Sequence, residues 1–84
     1  MEGLPKTREK EITFSLHFIK RWKTRDIEIE KVEETARTGR ITYPGRRKVT
    51  LERYFGKENE TYCVVCLVND DFIEVKTAWK REGR

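Results

Sequence analysis

Eighty-four residues supply one small domain and leave no room for a second core. Charged side chains make up 40% of the chain and hydrophobic ones 36%, so disorder is the first class to test; the alternating apolar runs after residue 47 argue against it. The net charge is +4, no apolar run approaches the roughly 20 residues of a membrane helix, and no signal-peptide core follows Met1, so a cytoplasmic protein that does not enter a membrane is expected.

Residues 1–11 are polar, carry Gly3 and Pro5, and read as a flexible N-terminal arm. Ile12 to Phe14 either adds a short strand or leads into a helix, for which Ser15 is a fitting N-cap. The first helix, about residues 16–25, presents Leu16, Ile19 and Lys23 on one side and Phe18 and Trp22 on the next. On it His17, Arg21 and Arg25 recur every four residues and stack into a cationic stripe. Asp26-Ile27 breaks the pattern. The second helix, about 28–38, buries Ile29, Val32 and Ala36 and stops at Gly39.

Four strands follow. Arg40 to Tyr43 ends at the Pro44-Gly45 turn, and Lys48 to Phe55 alternates with Val49, Leu51 and Phe55 on one face. Thr61 to Val68 is apolar on both faces, as a central strand should be. Phe72 to Lys80 places Ile73, Val75, Thr77 and Trp79 on one face and Glu74, Lys76 and Lys80 on the other. Arg53 breaks the parity of its strand; either it lies beyond the helices' cover or a bulge rephases it. The expected fold is α+β, ααββββ: two helices on one face of a four-stranded antiparallel sheet, spanning residues 12–81, with 82–84 as tail.

Charge is distributed in blocks: +3 over residues 1–27, −2 over 28–39, +5 over 40–57, −5 over 58–75 and +3 over 76–84. The basic blocks are the first helix, the first hairpin with Arg46, Arg47 and Lys48, and the C-terminal end with Lys80 and Arg81. Should the fold gather them, they form a phosphate-binding surface; otherwise they are a solvated surface of mixed charge. Abundant Lys and Glu with no Gln is the profile of ion-pair-rich proteins from hot environments.

Cys63 and Cys66 form a C-x-x-C, but residues three apart on a strand point to opposite faces. They cannot share a metal or a disulfide, and no second Cys or His pair completes a site, so neither metal nor cofactor is expected.

The spacing His17, Arg21, Arg25, Ile27, Val32, Gly39, with Val75-Lys-Thr77-Ala-Trp79 in the last strand, resembles a family of small uncharacterised prokaryotic proteins related to the RelE/ParE and BrnT toxins. The likeness spans roughly residues 12 to 80, and departs where Phe18 replaces a small residue and Asp26 a glycine. It implies a RelE-like fold and an antitoxin partner. It also implies either ribosome-dependent mRNA cleavage, as in RelE-type toxins, or gyrase poisoning, as in ParE-type ones. RelE-type enzymes use basic residues on the sheet and an aromatic near the C-terminus; here Trp79 holds that region.

RNA cleavage needs a base for the ribose 2′-hydroxyl, cations for the crowded phosphorane and an acid for the leaving oxygen. His17, the one histidine, is the acid–base candidate, with Arg53 and Lys76 as its cationic partners. Arg21, Arg25, Arg46, Arg47, Lys48, Lys80 and Arg81 are candidates for phosphate, and Tyr54 for stacking on a base. Structural roles compete: His17 as a helix-start hydrogen-bonder, Arg21 and Arg25 paired with Glu33 or Glu34, the tryptophans as packing residues. Three functions stand: a toxin-like endoribonuclease, a non-catalytic nucleic-acid- or ribosome-binding module, and a protein-interaction domain with a peptide partner.

Overall fold

The computed structural model describes residues 10–22 and 26–84. In chain order they form β1 (Glu11–Phe14), α1 (Leu16–Trp22), α2 (Ile29–Thr38), β2 (Arg40–Pro44), β3 (Lys48–Phe55), β4 (Glu60–Val68) and β5 (Phe72–Glu82). The strands build one sheet in the order β1-β5-β4-β3-β2. From β2 to β5 it is an antiparallel meander, while β1 runs parallel to β5.

The α+β class holds, but the sheet has five strands and is mixed, where four antiparallel strands were expected. The added strand forms because Ile12 and Phe14 alternate with Thr13 and lay both apolar side chains on the core. Glu11, assigned to the arm, is its first residue, and Lys10 Nζ donates to the Asn69 carbonyl at 2.6 Å. At the other end β5 runs through Glu82, and the Gly83 carbonyl accepts from Thr61 Oγ1 at 2.6 Å.

Ser15 caps α1 as its position suggests: its Oγ accepts from the Phe18 amide at 3.0 Å. Its own amide donates to Val75 O at 3.0 Å, tying the helix start to β5. A helix of seven residues buries little, and here only Phe18 goes inside, stacked on Phe14 with centroids 5.4 Å apart. Leu16 and Ile19, expected on an apolar side, are 74% and 44% exposed. The face that docks is the Phe18–Trp22 one, whose indole donates to the Ile27 carbonyl at 3.1 Å.

α2 buries Val32, Thr35 and Ala36; the Thr35 hydroxyl is satisfied by the Lys31 carbonyl at 2.7 Å. At its start the Glu28 amide donates to the hydroxyl of Tyr62, a fully buried β4 residue, at 3.0 Å. At its end the Gly39 amide donates to Thr35 O at 2.8 Å. A Cβ at Gly39 would lie 2.5 Å from Thr35 O and 3.0 Å from Glu52 O, so β2 leaves the helix too tightly for any side chain.

Beneath the helices the core is Val49 and Leu51 of β3, Tyr62, Val64 and Cys66 of β4, and Ile73, Val75 and Ala78 of β5. Cys63 and Cys66 are free, buried and on opposite faces, as strand parity requires. Burial pushes the Cys66 thiol up to about 12.

One irregularity decides what the open face carries. Val65 pairs with Thr77 and Cys66 with Val75, which leaves Lys76 as an extra residue in β5. Every later side chain of β5 changes face. Ala78, not Trp79, enters the core, and Trp79 stands 41% exposed on the open side. Lys80, expected beside Lys76 on the open face, turns instead toward the helices, where Nζ meets Glu60 at 3.0 Å and Asp26 at 3.5 Å. The hydrogen bond with Glu60 raises the Lys80 pKa, and the Asp26 carboxylate adds to it.

Candidate nucleic-acid interface

Both helices pack on one side of the sheet, so the other side is uncovered by any described element. Strand pairing places Arg40, Tyr43, Lys48, Thr50, Glu52 and Tyr54 there from β2 and β3. It adds Thr61, Cys63, Val65 and Leu67 from β4, with Thr77, Trp79 and Arg81 from β5. Down the middle run the small side chains of Thr50, Cys63, Val65 and Thr77. On either side stand Tyr43, 64% exposed, and Trp79. Three strand spacings separate their strands, about 14 Å. We call this strip, whose Cys63 and Val65 are themselves buried, the trough; an exposed aromatic stands on each side of it.

One end of the trough opens into a cleft of ≈ 400 Å³, lined by Arg40, Glu52, Arg53, Tyr54, Arg81 and Arg84 among others. Arg81 is held at both terminal nitrogens, Nη1 donating to Cys63 Sγ at 3.1 Å and Nη2 to Glu52 at 3.2 Å. The Arg84 guanidinium lies over the Tyr54 ring, 4.5 Å from its centroid, while the Tyr54 hydroxyl donates to Asn59 Oδ1 at 2.7 Å. A second cleft of ≈ 440 Å³ at the opposite end is lined by Lys10, Arg46, Arg47, Val68, Asn69 and Asp70. There Lys10 and Arg47 spend donors on Asn69, at 2.6 and 3.0 Å.

Two of the three basic blocks therefore meet. The first hairpin and the C-terminal end share the first cleft through Arg40, Arg53, Arg81 and Arg84. The third block, on α1, lies across the sheet from it: His17 and Arg21 are exposed on a helix that packs against the core side of β5. Arg25 lies outside the described residues. Arg53 is braced to α2, its Nη2 3.0 Å from Glu34 and its Nη1 2.8 Å from Thr38 Oγ1. It stays on the core side of β3 beside α2, so no bulge rephases it, and its Nε is buried without a hydrogen-bond partner. Glu34, considered as a partner for the α1 arginines, is the partner of Arg53. Lys76 occupies the β5 bulge. Neither cleft contains His17 or Lys76, so the proposed catalytic trio is not gathered in either.

The residues that sequence reasoning passed over are Arg40, Tyr43 and Arg84. Arg40 and Arg84 sit at element ends, and their signal was the charge of their blocks. Burial, with the Glu52 carboxylate close by, raises the pKa of Cys63 on the trough floor, which keeps the thiol protonated beside Arg81.

Residues 14–80 match the family model of DUF4258, a domain of unknown function. The chain belongs to that family. The DUF4258 match begins at the last residue of β1 and ends in β5, so it takes in both helices, the trough and the arginines at 40 and 53. Arg81 and Arg84 lie just beyond the DUF4258 span. No curated protein and no solved structure matches the chain.

Proposed function

We propose that this protein binds single-stranded RNA on the open face of its sheet, without cleaving it. The observation that carries the reading is the uncovered trough, with exposed Tyr43 and Trp79 on either side and Arg40, Lys48, Arg81 and Arg84 around it. Bases stack on aromatic faces regardless of sequence, and arginines follow the phosphates. Tyr43 and Trp79 stand three strand spacings and two residues of register apart, about 16 Å, room for about three bases at about 3.4 Å per step. His17, the acid–base candidate, lies across the sheet, and the Cys63 thiol is held protonated by burial.

The test is fluorescence anisotropy of a labelled oligoribonucleotide at rising KCl, followed by a gel of the recovered RNA. The expected result is binding whose logarithm falls linearly with log salt, with the RNA intact. Absence of binding at low salt refutes the reading and leaves a protein-interaction domain.

The RelE- and BrnT-like resemblance supports a second reading, a toxin held by an antitoxin and acting on ribosome-bound message. The observation that favours it is the meeting of basic side chains with Trp79 on the sheet, the residue types that RelE-type toxins place there. New 5′ ends on a message, appearing only when ribosomes are present, would establish that chemistry and overturn the non-catalytic account.

A further inference from the structure

We infer that the cleft between Arg40, Arg81, Arg84 and Tyr54 receives a terminal phosphomonoester, so that the RNA strand in the trough is held by a phosphorylated end. The inference rests on the RNA-binding reading and adds which part of the strand the cleft takes.

Charge selects the group. Of the four arginines lining the cleft, Arg53 is met by Glu34 and Arg81 by Glu52. Arg40 and Arg84 have no side-chain carboxylate partner among the described residues, so their two guanidiniums are left to meet an anionic ligand. A diester linkage inside a strand brings one negative charge, whereas a monoester brings about −1.5 to −2 at pH 7 because its second ionisation lies near pH 6. The end group is the better match.

Size and rigidity point the same way. A volume of ≈ 400 Å³ suits one nucleotide-sized group, at the small end of ligand cavities. Two of the donors are fixed before any ligand arrives. Arg81 is pinned by Cys63 and Glu52 with its Nε–H left over, and Arg84 is laid on a Tyr54 ring whose hydroxyl is tied to Asn59. Little side-chain entropy remains to be lost on binding. The opposite cleft has no aromatic ring in its lining to hold a guanidinium or a base.

The experiment compares three oligoribonucleotides of one sequence, carrying a 5′-phosphate, a 3′-phosphate or hydroxyls at both ends. One phosphorylated form should bind about tenfold tighter than the hydroxyl form at pH 7.5, and that advantage should shrink by pH 5.5 as the monoester loses its second charge. In R40A/R84A the ratio should fall to one. Trp79→Ala should weaken all three and keep the ratio. Equal affinities in the wild type overturn the inference and leave strand binding intact. If no oligonucleotide binds, the strand reading fails, and the cleft is decided by NMR titration with AMP against adenosine. Shifts at Arg84 and Tyr54 with AMP alone sustain a phosphomonoester site; their absence overturns it.

Discussion

Replacing Tyr62 by Phe removes one oxygen atom and little else, which makes it the sharpest test of how α2 is held. The Tyr62 ring is fully buried, meets Phe55 edge-on at 5.3 Å and has the Lys31 ammonium 6.0 Å from its centroid. A phenylalanine keeps all three features, so they cancel in the comparison. What is lost is the acceptor for the Glu28 amide at 3.0 Å, at the first turn of α2, where a helix has backbone donors to spare. A partly buried neutral hydrogen bond is worth about 1 kcal/mol net. In a domain of this size that lowers the midpoint of thermal unfolding by about 4–8 °C. Circular dichroism melts measure the shift, and hydrogen exchange checks it, since the Glu28 amide and the β4 amides that exchange only through global unfolding should all exchange about fivefold faster. A variant that melts within a degree of the parent, with unchanged exchange at Glu28, would refute the claim that a buried phenol fixes the helix start.

Three further outcomes follow from the same structure. Gly39→Ala forces a Cβ against the Thr35 and Glu52 carbonyls and should cost about 1–3 kcal/mol, read as a lower urea midpoint with an unchanged m-value. Cys66, with a thiol raised to about 12 in the fold, retains its proton where the unfolded chain has lost it, so stability should fall as pH rises from 9 to 12, by about 1.4 kcal/mol per unit. Urea melts at pH 8, 9.5 and 10.5 would show that slope, and Cys66→Ala should reduce it, the raised Cys63 thiol leaving a remainder of the same sign. Trp79→Ala should leave the melting midpoint within a few degrees, because the side chain is 41% exposed, yet weaken RNA binding by about 1–3 kcal/mol, measured by anisotropy.

Local signals carried most of the fold. Ser15, Gly39, Pro44-Gly45 and Asn69-Asp-Asp71 mark where elements start and stop, and the period of Val49, Leu51 and Phe55 assigns the core face of β3. Two features had no local mark. The pairing of β1 with β5 joins segments 60 residues apart in the chain, and a parallel partner leaves no turn residue to announce it. The bulge at Lys76 sits inside Ile-Glu-Val-Lys-Thr-Ala-Trp, which reads as an unbroken alternation. Only the pairing shows that Ala78 goes inside, a choice that a small residue beside a large aromatic conceals. The same bulge explains why the open face was read with Lys80 on it and Trp79 off it. Arg53 broke the parity of its strand because it serves α2, its guanidinium braced by Glu34 and Thr38.

The parallel contact of β1 also orders events during synthesis. The first strand to leave the ribosome is the one whose partner is made last. At 5–20 residues per second, the 60 residues between them take about 3–12 s, during which Ile12 and Phe14 have no sheet to join. The antiparallel meander closes hairpin by hairpin as it emerges, so β1 docks onto an edge that already exists. That edge is β5, and until it is covered it offers a row of open backbone groups to any other strand. A newly made chain therefore carries an unpaired β1 for seconds, ready to cover the β5 edge as soon as that strand is made.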